Sequence, residues 1–177
     1  MGGGNGKDFV SAFIVLWFFL SRHPCRIVTT SADHYQLEGV LWGEIRNFIQ
    51  TSRVSLQDNL VVNHLHLRKR LPPGAGTGDQ PEYDPLTGQA VEGGVCGLSY
   101  CLGRVAAKGE GMLGHHVADT GDGIPRTLFV ADEASGVDDV TFNAAETWAR
   151  RRLIIGNPYE CQNRFRRADK EGDLLAP

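Results

Sequence analysis

The sequence predicts an α/β fold, a three-layer sandwich built on a mainly parallel sheet. Three observations carry this expectation. Segments of strand length (25–32, 127–131, 152–155) alternate with segments of helical periodicity (9–20, 33–50, 138–150). The strand segments are apolar at most positions, as strands covered on both faces are. Polar or acidic groups then gather where the strands end: Thr29, Thr30 and Ser31, then Asp132 and Glu133, then Gly156 and Asn157. Open parallel sheets collect ligands at that edge.

The elements follow in order. FVSAFIVLWFFL, 9–20, is an apolar run of 12 residues, far too short to span a bilayer. Lys7 precedes it, as in the core of a signal peptide, but Asp8 sits beside the run and SRHPC follows in place of a small-x-small cleavage site. A buried helix fits better. CRIVTTSA, 25–32, reads as a buried strand. Over 33–50, Leu37, Leu41, Ile45, Phe48 and Ile49 fall at helical spacing behind a capping Asp33. The partial alternation over 59–67 predicts one more strand. Gly and Pro dominate 72–94, which predicts a long loop. A short strand is expected within 95–105, a glycine-rich stretch over 109–123, a helix from the acidic turn at 137–140 to Arg150, and a last strand before Gly156, Asn157 and Pro158.

Size and charge set bounds. A chain of 177 residues suits one domain with its own core. The formal net charge of -3 gives no global sign of a nucleic-acid partner. Arginines nevertheless cluster at Arg150, Arg151 and Arg152 and again at Arg164, Arg166 and Arg167, as a solvated face or a local phosphate contact. Four scattered cysteines point to a reducing compartment. Cys96 and Cys101 with His115 and His116 make a weak zinc set, since the gap between the cysteines is at the edge of the usual range.

Two motifs carry chemistry. In LFVADEAS, 128–135, a strand ends in adjacent acids, the Walker B arrangement. Asp132 can hold Mg²⁺ and Glu133 can orient an attacking water. GGGNGKD, 2–8, resembles a phosphate loop: Gly4, Asn5 and Gly6 allow close backbone approach, and Lys7 can reach the β- and γ-phosphates. Set against G-x-x-x-x-G-K-[ST], Met1 takes the first glycine's place and Asp8 the hydroxyl's. A carboxylate at Asp8 can ligate Mg²⁺ but adds repulsion near phosphates. A flexible tail is the other reading of 2–8. Together the motifs predict a P-loop NTPase-like domain that uses ATP and Mg²⁺, with nucleotide-binding residues Gly4, Asn5, Gly6, Lys7 and Asp8, and metal residues Asp132 and Asp8. A strand before the loop is expected and not found, so the domain is expected to be N-terminally incomplete, a partial domain over 1–177.

GGGNGKD, IVTTSADHYQLEGVLWGEI, GEGMLGHH, TLFVADEASGV and RRLIIGNPYECQNRF together resemble the ATPase domain of the large terminase subunit of tailed bacteriophages. That resemblance implies a motor coupling ATP hydrolysis to movement of double-stranded DNA into a procapsid. It implies a homo-oligomeric ring, a portal protein and a small terminase subunit as partners, no membrane, and a place in the bacterial host cytoplasm. It makes Glu133 the catalytic glutamate, Asp132 the Mg²⁺-associated acid and Asn157 part of a catalytic Gly-Asn-Pro coupling turn. It gives Thr29 and Thr30 a structural or DNA-facing place. The family's nuclease domain has no counterpart in these residues. A non-catalytic prophage remnant is the alternative to an active motor.

Overall fold

The structure, a computed structural model, describes residues 6–70, 95–105, 112–157 and 161–171. A six-stranded sheet forms its middle layer. In chain order the strands are β1 (Arg26–Ser31), β2 (Leu60–Asn63), β3 (His66–Arg70), β4 (Val95–Val105), β5 (Thr127–Asp132) and β6 (Arg151–Ile154). Their spatial order is β2-β3-β4-β1-β5-β6. The four strands from β4 to β6 are parallel, and β2 and β3 add an antiparallel hairpin at one edge. The α/β sandwich expected from the sequence is therefore present, with a mixed sheet that is mostly parallel.

Helix α1 (Lys7–Leu20) is the apolar run. Ala12, Val15, Leu16, Phe18 and Phe19 are buried, whereas Phe9, Phe13 and Trp17 are about half exposed. Among the described residues no helix is long and apolar enough to cross a membrane. The helix expected over 33–50 forms in two parts: a π-helical stretch, Gln36–Leu41, runs into α2 (Trp42–Thr51). A π turn leaves carbonyls outside the i→i+4 ladder. Arg46 donates to the Glu38 carbonyl within that stretch at 2.8 Å. Helices α1 and α2 cover one face of the sheet in a single core with Ile27, Leu67, Cys101, Leu128 and Val130. The other face carries a smaller core of Val28, Phe129, Ala131, Phe142, Ala145 and Trp148.

Several expectations are corrected. The strand expected over 59–67 is a short helix α3 (Leu56–Asn59) followed by the β2–β3 hairpin. Its tip, His64-Leu65, lacks the Gly, Asn or Asp that signals a turn, so the alternation ran through it; His64 itself takes φ 42°. The tip docks on β4: Gly103 donates to the Leu65 carbonyl at 2.7 Å, and a Cβ at Gly103 would lie 2.8 Å from both Leu65 Cβ and Trp42 Nε1. Helix α4 (Asp139–Glu146) starts where expected, capped by the Asp138 carboxylate, which accepts from Thr141 N at 2.8 Å. It ends four residues short of Arg150. Thr127 Oγ1 donates to the Trp148 carbonyl and accepts from Arg150 N, both at 2.9 Å, so the chain turns there into β6. Helix α5 (Arg164–Glu171) was not expected, because Phe165 and Ala168 are its only apolar residues. The loop expected at 72–94 lies outside the described residues.

Candidate nucleotide and metal site

Parallel register places the chemistry. Strands β1 and β5 end level with one another, Ser31 opposite Asp132. Helix α1 begins at the same edge: Gly6, in the left-handed region at φ 70°, turns the chain into Lys7, and Val10 N donates to the Gly6 carbonyl at 3.0 Å. Lys7 Nζ then donates to Glu133 Oε1 in a half-buried ion pair. Residues 126 positions apart in sequence meet at the strand end, with the helix's free amides beside them. Gly4 and Asn5 lie outside the described residues.

Asp132 is buried, and neither carboxylate oxygen has a hydrogen-bond partner. Burial pushes its pKa up from 3.8 to about 6; the negative charge of Asp8 adds to the rise and Lys7 opposes it. A side-chain hydrogen bond with Asp8, open to the pair once one carboxyl is protonated, raises it further; with both ionised, Asp132 has no donor. The Thr30 and Ser31 hydroxyls are also buried and unbonded. A dry, unbonded carboxylate suits a hard cation that brings its own waters. Asp132 and Asp8 are the residues that would hold it. Among the described residues no group of three His, Cys, Asp or Glu side chains could hold a metal ion, which also disposes of the zinc set. Cys96 and Cys101 lie on β4, and His115 Nδ1 is instead 2.8 Å from the Tyr100 hydroxyl.

Glu133 takes φ 45°, ψ 51°, a left-handed conformation uncommon outside glycine. The segment after it is tied down. A short 3₁₀ turn, Ala134–Gly136, packs so closely on the residue after β1 that a Cβ at Gly136 would lie 2.6 Å from Ala32 Cβ. Ala134 N donates to the Ile155 carbonyl at 2.9 Å, and a Cβ at Gly156 would lie 2.8 Å from Ala134 N. Gly156 is thus required by close approach, and the half-buried Asn157 follows it.

Sequence reasoning missed Asn163. Its Nδ2 lies within donating distance of three carbonyls, Val137 at 2.6 Å, Ala134 at 2.8 Å and Ser135 at 3.1 Å. Its Oδ1 accepts from Arg166 N at 3.3 Å at the start of α5. An Asn just ahead of a charged octapeptide was the available signal, as an N-cap. Asp139 completes the attachment, accepting from Arg164 N and Arg167 Nη2, both at 2.7 Å. The clustered arginines therefore largely tie elements together: Arg152 and Arg164 share Glu146 at 2.6 and 2.5 Å.

A groove of about 920 Å³ opens at the other end of these strands, lined among others by Asp119, Arg126, Glu146, Arg150 and Arg151. It is separate from the acids: Thr127 and Arg151 begin the strands that run toward Asp132 and Ile155.

No family model matches this chain, and no curated protein matches it. Solved structures do. The large terminase ATPase domain of Thermus phage P74-26 superposes with a TM-score of 0.57 at 15% identity, over 88% of this chain and 56% of that one. The large terminase of a second, thermophilic bacteriophage gives 0.50 at 10% identity, over 96% of this chain and 36% of that one. The chain thus spans about half the length of the first and about a third of the second. Its fold is that of these terminase ATPase domains.

Proposed function

We propose that this chain is an ATP-hydrolysing motor domain of the phage terminase type. The observation that carries the reading is the meeting of Lys7, at the start of α1, with Asp132 and Glu133 at the end of β5. In this reading Gly4, Asn5, Gly6 and Lys7 receive the phosphates, and Lys7 leaves Glu133 to do so. Glu133, so released, accepts a hydrogen bond from the attacking water and orients it toward the γ-phosphorus. Asp132, with Asp8, holds Mg²⁺, which when bound supplies charge neutralisation at the phosphates. Asn157 lies in the turn that registers hydrolysis. Double-stranded DNA as cargo, a homo-oligomeric ring, a portal protein and a small terminase subunit as partners, and action in the bacterial host cytoplasm belong to the same proposal.

One observation favours a second reading, a non-catalytic remnant. Asp8 puts a negative charge beside Asp132, where a neutral hydroxyl would ligate Mg²⁺ without repelling phosphate. Misplacement of about 1 Å can cost about 10²-fold in rate. Weak Mg²⁺-ATP binding and slow turnover are therefore expected of this chain as it stands. Calorimetry of Mg²⁺-ATP binding to the native chain and to Asp8→Thr decides. Tighter binding by Asp8→Thr supports a phosphate loop at 2–8; no gain in a folded Asp8→Thr protein refutes it. Rapid turnover by the native chain removes the remnant reading. Turnover unaffected by Glu133→Gln removes the catalytic role of Glu133.

A further inference from the structure

We propose that the Ser31 hydroxyl belongs to the cation site at Asp132, as a further protein oxygen in the shell of a divalent ion. The inference rests on the reading of Asp132 as a metal-holding acid. Ser31 and Asp132 are Cα partners at the ends of adjacent parallel strands, so their side chains leave the same face of the sheet. That face is the one under α1. Ile27 lies four residues before Ser31 and Val130 two before Asp132, and both pack in the core with Ala12, Val15 and Phe19. Ser31 is fully buried, and its Oγ has no hydrogen-bond partner. Neither oxygen of Asp132, itself 1% exposed, receives a hydrogen bond while it and the neighbouring Asp8 are both ionised.

Three dry oxygens at one level of a sheet ask for a common partner, since buried polar atoms are otherwise almost always bonded. A hydrated divalent cation answers all three. Mg²⁺ takes few protein oxygens and keeps several waters, so a hydroxyl can bind the ion or hold one of its waters. The sequence supplies a reason for finding that hydroxyl on β1. The place of the phosphate-loop hydroxyl is occupied by Asp8, and Ser31 offers the same kind of oxygen from a neighbouring element. Thr30 provides an internal control. It too is buried and unbonded, but it sits one residue along the strand and so on the opposite face.

The test is Mn²⁺ binding to the nucleotide-free full chain, followed by electron paramagnetic resonance. The wild type should bind. Asp132→Asn should lose binding, and Ser31→Ala and the volume-keeping Ser31→Cys should each weaken it about tenfold. Thr30→Ala should leave it unchanged. Without cation, Ser31→Ala should melt no lower than wild type, because it removes an unbonded hydroxyl. Added Mn²⁺ should then raise the melting temperature of wild type by more than that of Ser31→Ala. If both Ser31 variants bind like wild type while Asp132→Asn does not, Ser31 has no such role and the reading of Asp132 stands. If wild type does not bind, or Asp132→Asn binds equally well, the reading of Asp132 fails and this inference with it.

Discussion

At the scale of single residues, the strand-end acids are held in costly states. Burial raises the pKa of Asp132 from 3.8 in an unfolded chain to about 6 in the folded one. Between those values the folded state binds more protons than the unfolded state, so stability must fall as pH rises through that window. The loss should total roughly 2–3 kcal/mol in metal-free protein and level off above it. Urea unfolding at a series of pH values measures this, and Asp132→Asn should flatten the slope. A profile that rises across the same window in wild type, or a slope retained in Asp132→Asn, would contradict it. Glu133 bears a different burden, its left-handed backbone. Glu133→Gly and Glu133→Gln both remove the pair with Lys7, but only glycine relieves the backbone. Glu133→Gly should therefore be more stable than Glu133→Gln by about 1 kcal/mol. Equal stability of the two would mean that the positive φ is not retained in solution. The sequence announced both acids, because a short apolar strand ending in Asp-Glu is a local pattern. The conformation of Glu133 was not legible, since the segment that follows it is tied down by Gly156 and Asn163, more than twenty residues on.

At the scale of elements, strands and helices with strong apolar patterns were legible: α1, β1, β5 and β6 fall within a residue or two of their expected limits. The misses share a cause. The β2–β3 hairpin turns on residues without turn chemistry, and α5, which packs only Phe165 on the second core, is otherwise held by polar contacts. Asn163 is the centre of those contacts. Asn163→Ala strips an amide from three carbonyls and should cost about 1–3 kcal/mol. The loss should be local, so backbone amides of Gly136, Val137 and α5 should exchange hydrogen faster while those of β1 and β5 keep their protection. Uniform acceleration across the sheet would show Asn163 to be part of the global fold instead of a strap on one loop.

At the scale of the whole molecule, the sheet separates two cores of unequal size, and the larger lies on the side of the acids. Phe19, fully buried in that core, should cost about 3–5 kcal/mol when cut to alanine, a large part of an ordinary domain's stability. Chemical denaturation of Phe19→Ala measures it; a change under about 1 kcal/mol would mean that α1 is not docked as described. The same layering has an optical consequence. The three tryptophans each report a different environment. Trp42 lies sealed on the acids' side, its Nε1 donating to Thr29 Oγ1 at 2.9 Å, two residues before Ser31. Trp148 is sealed on the opposite side, its Nε1 donating to the Met112 carbonyl at 2.5 Å. Trp17, half exposed on the outer surface of α1, lies beneath the Arg22 guanidinium, 4.5 Å from its ring centroid. Acrylamide should quench Trp17 alone in the native protein. With Trp17 changed to phenylalanine, the remaining emission should be blue-shifted and protected, and any ligand that loosens one face should bring only that face's indole within the quencher's reach.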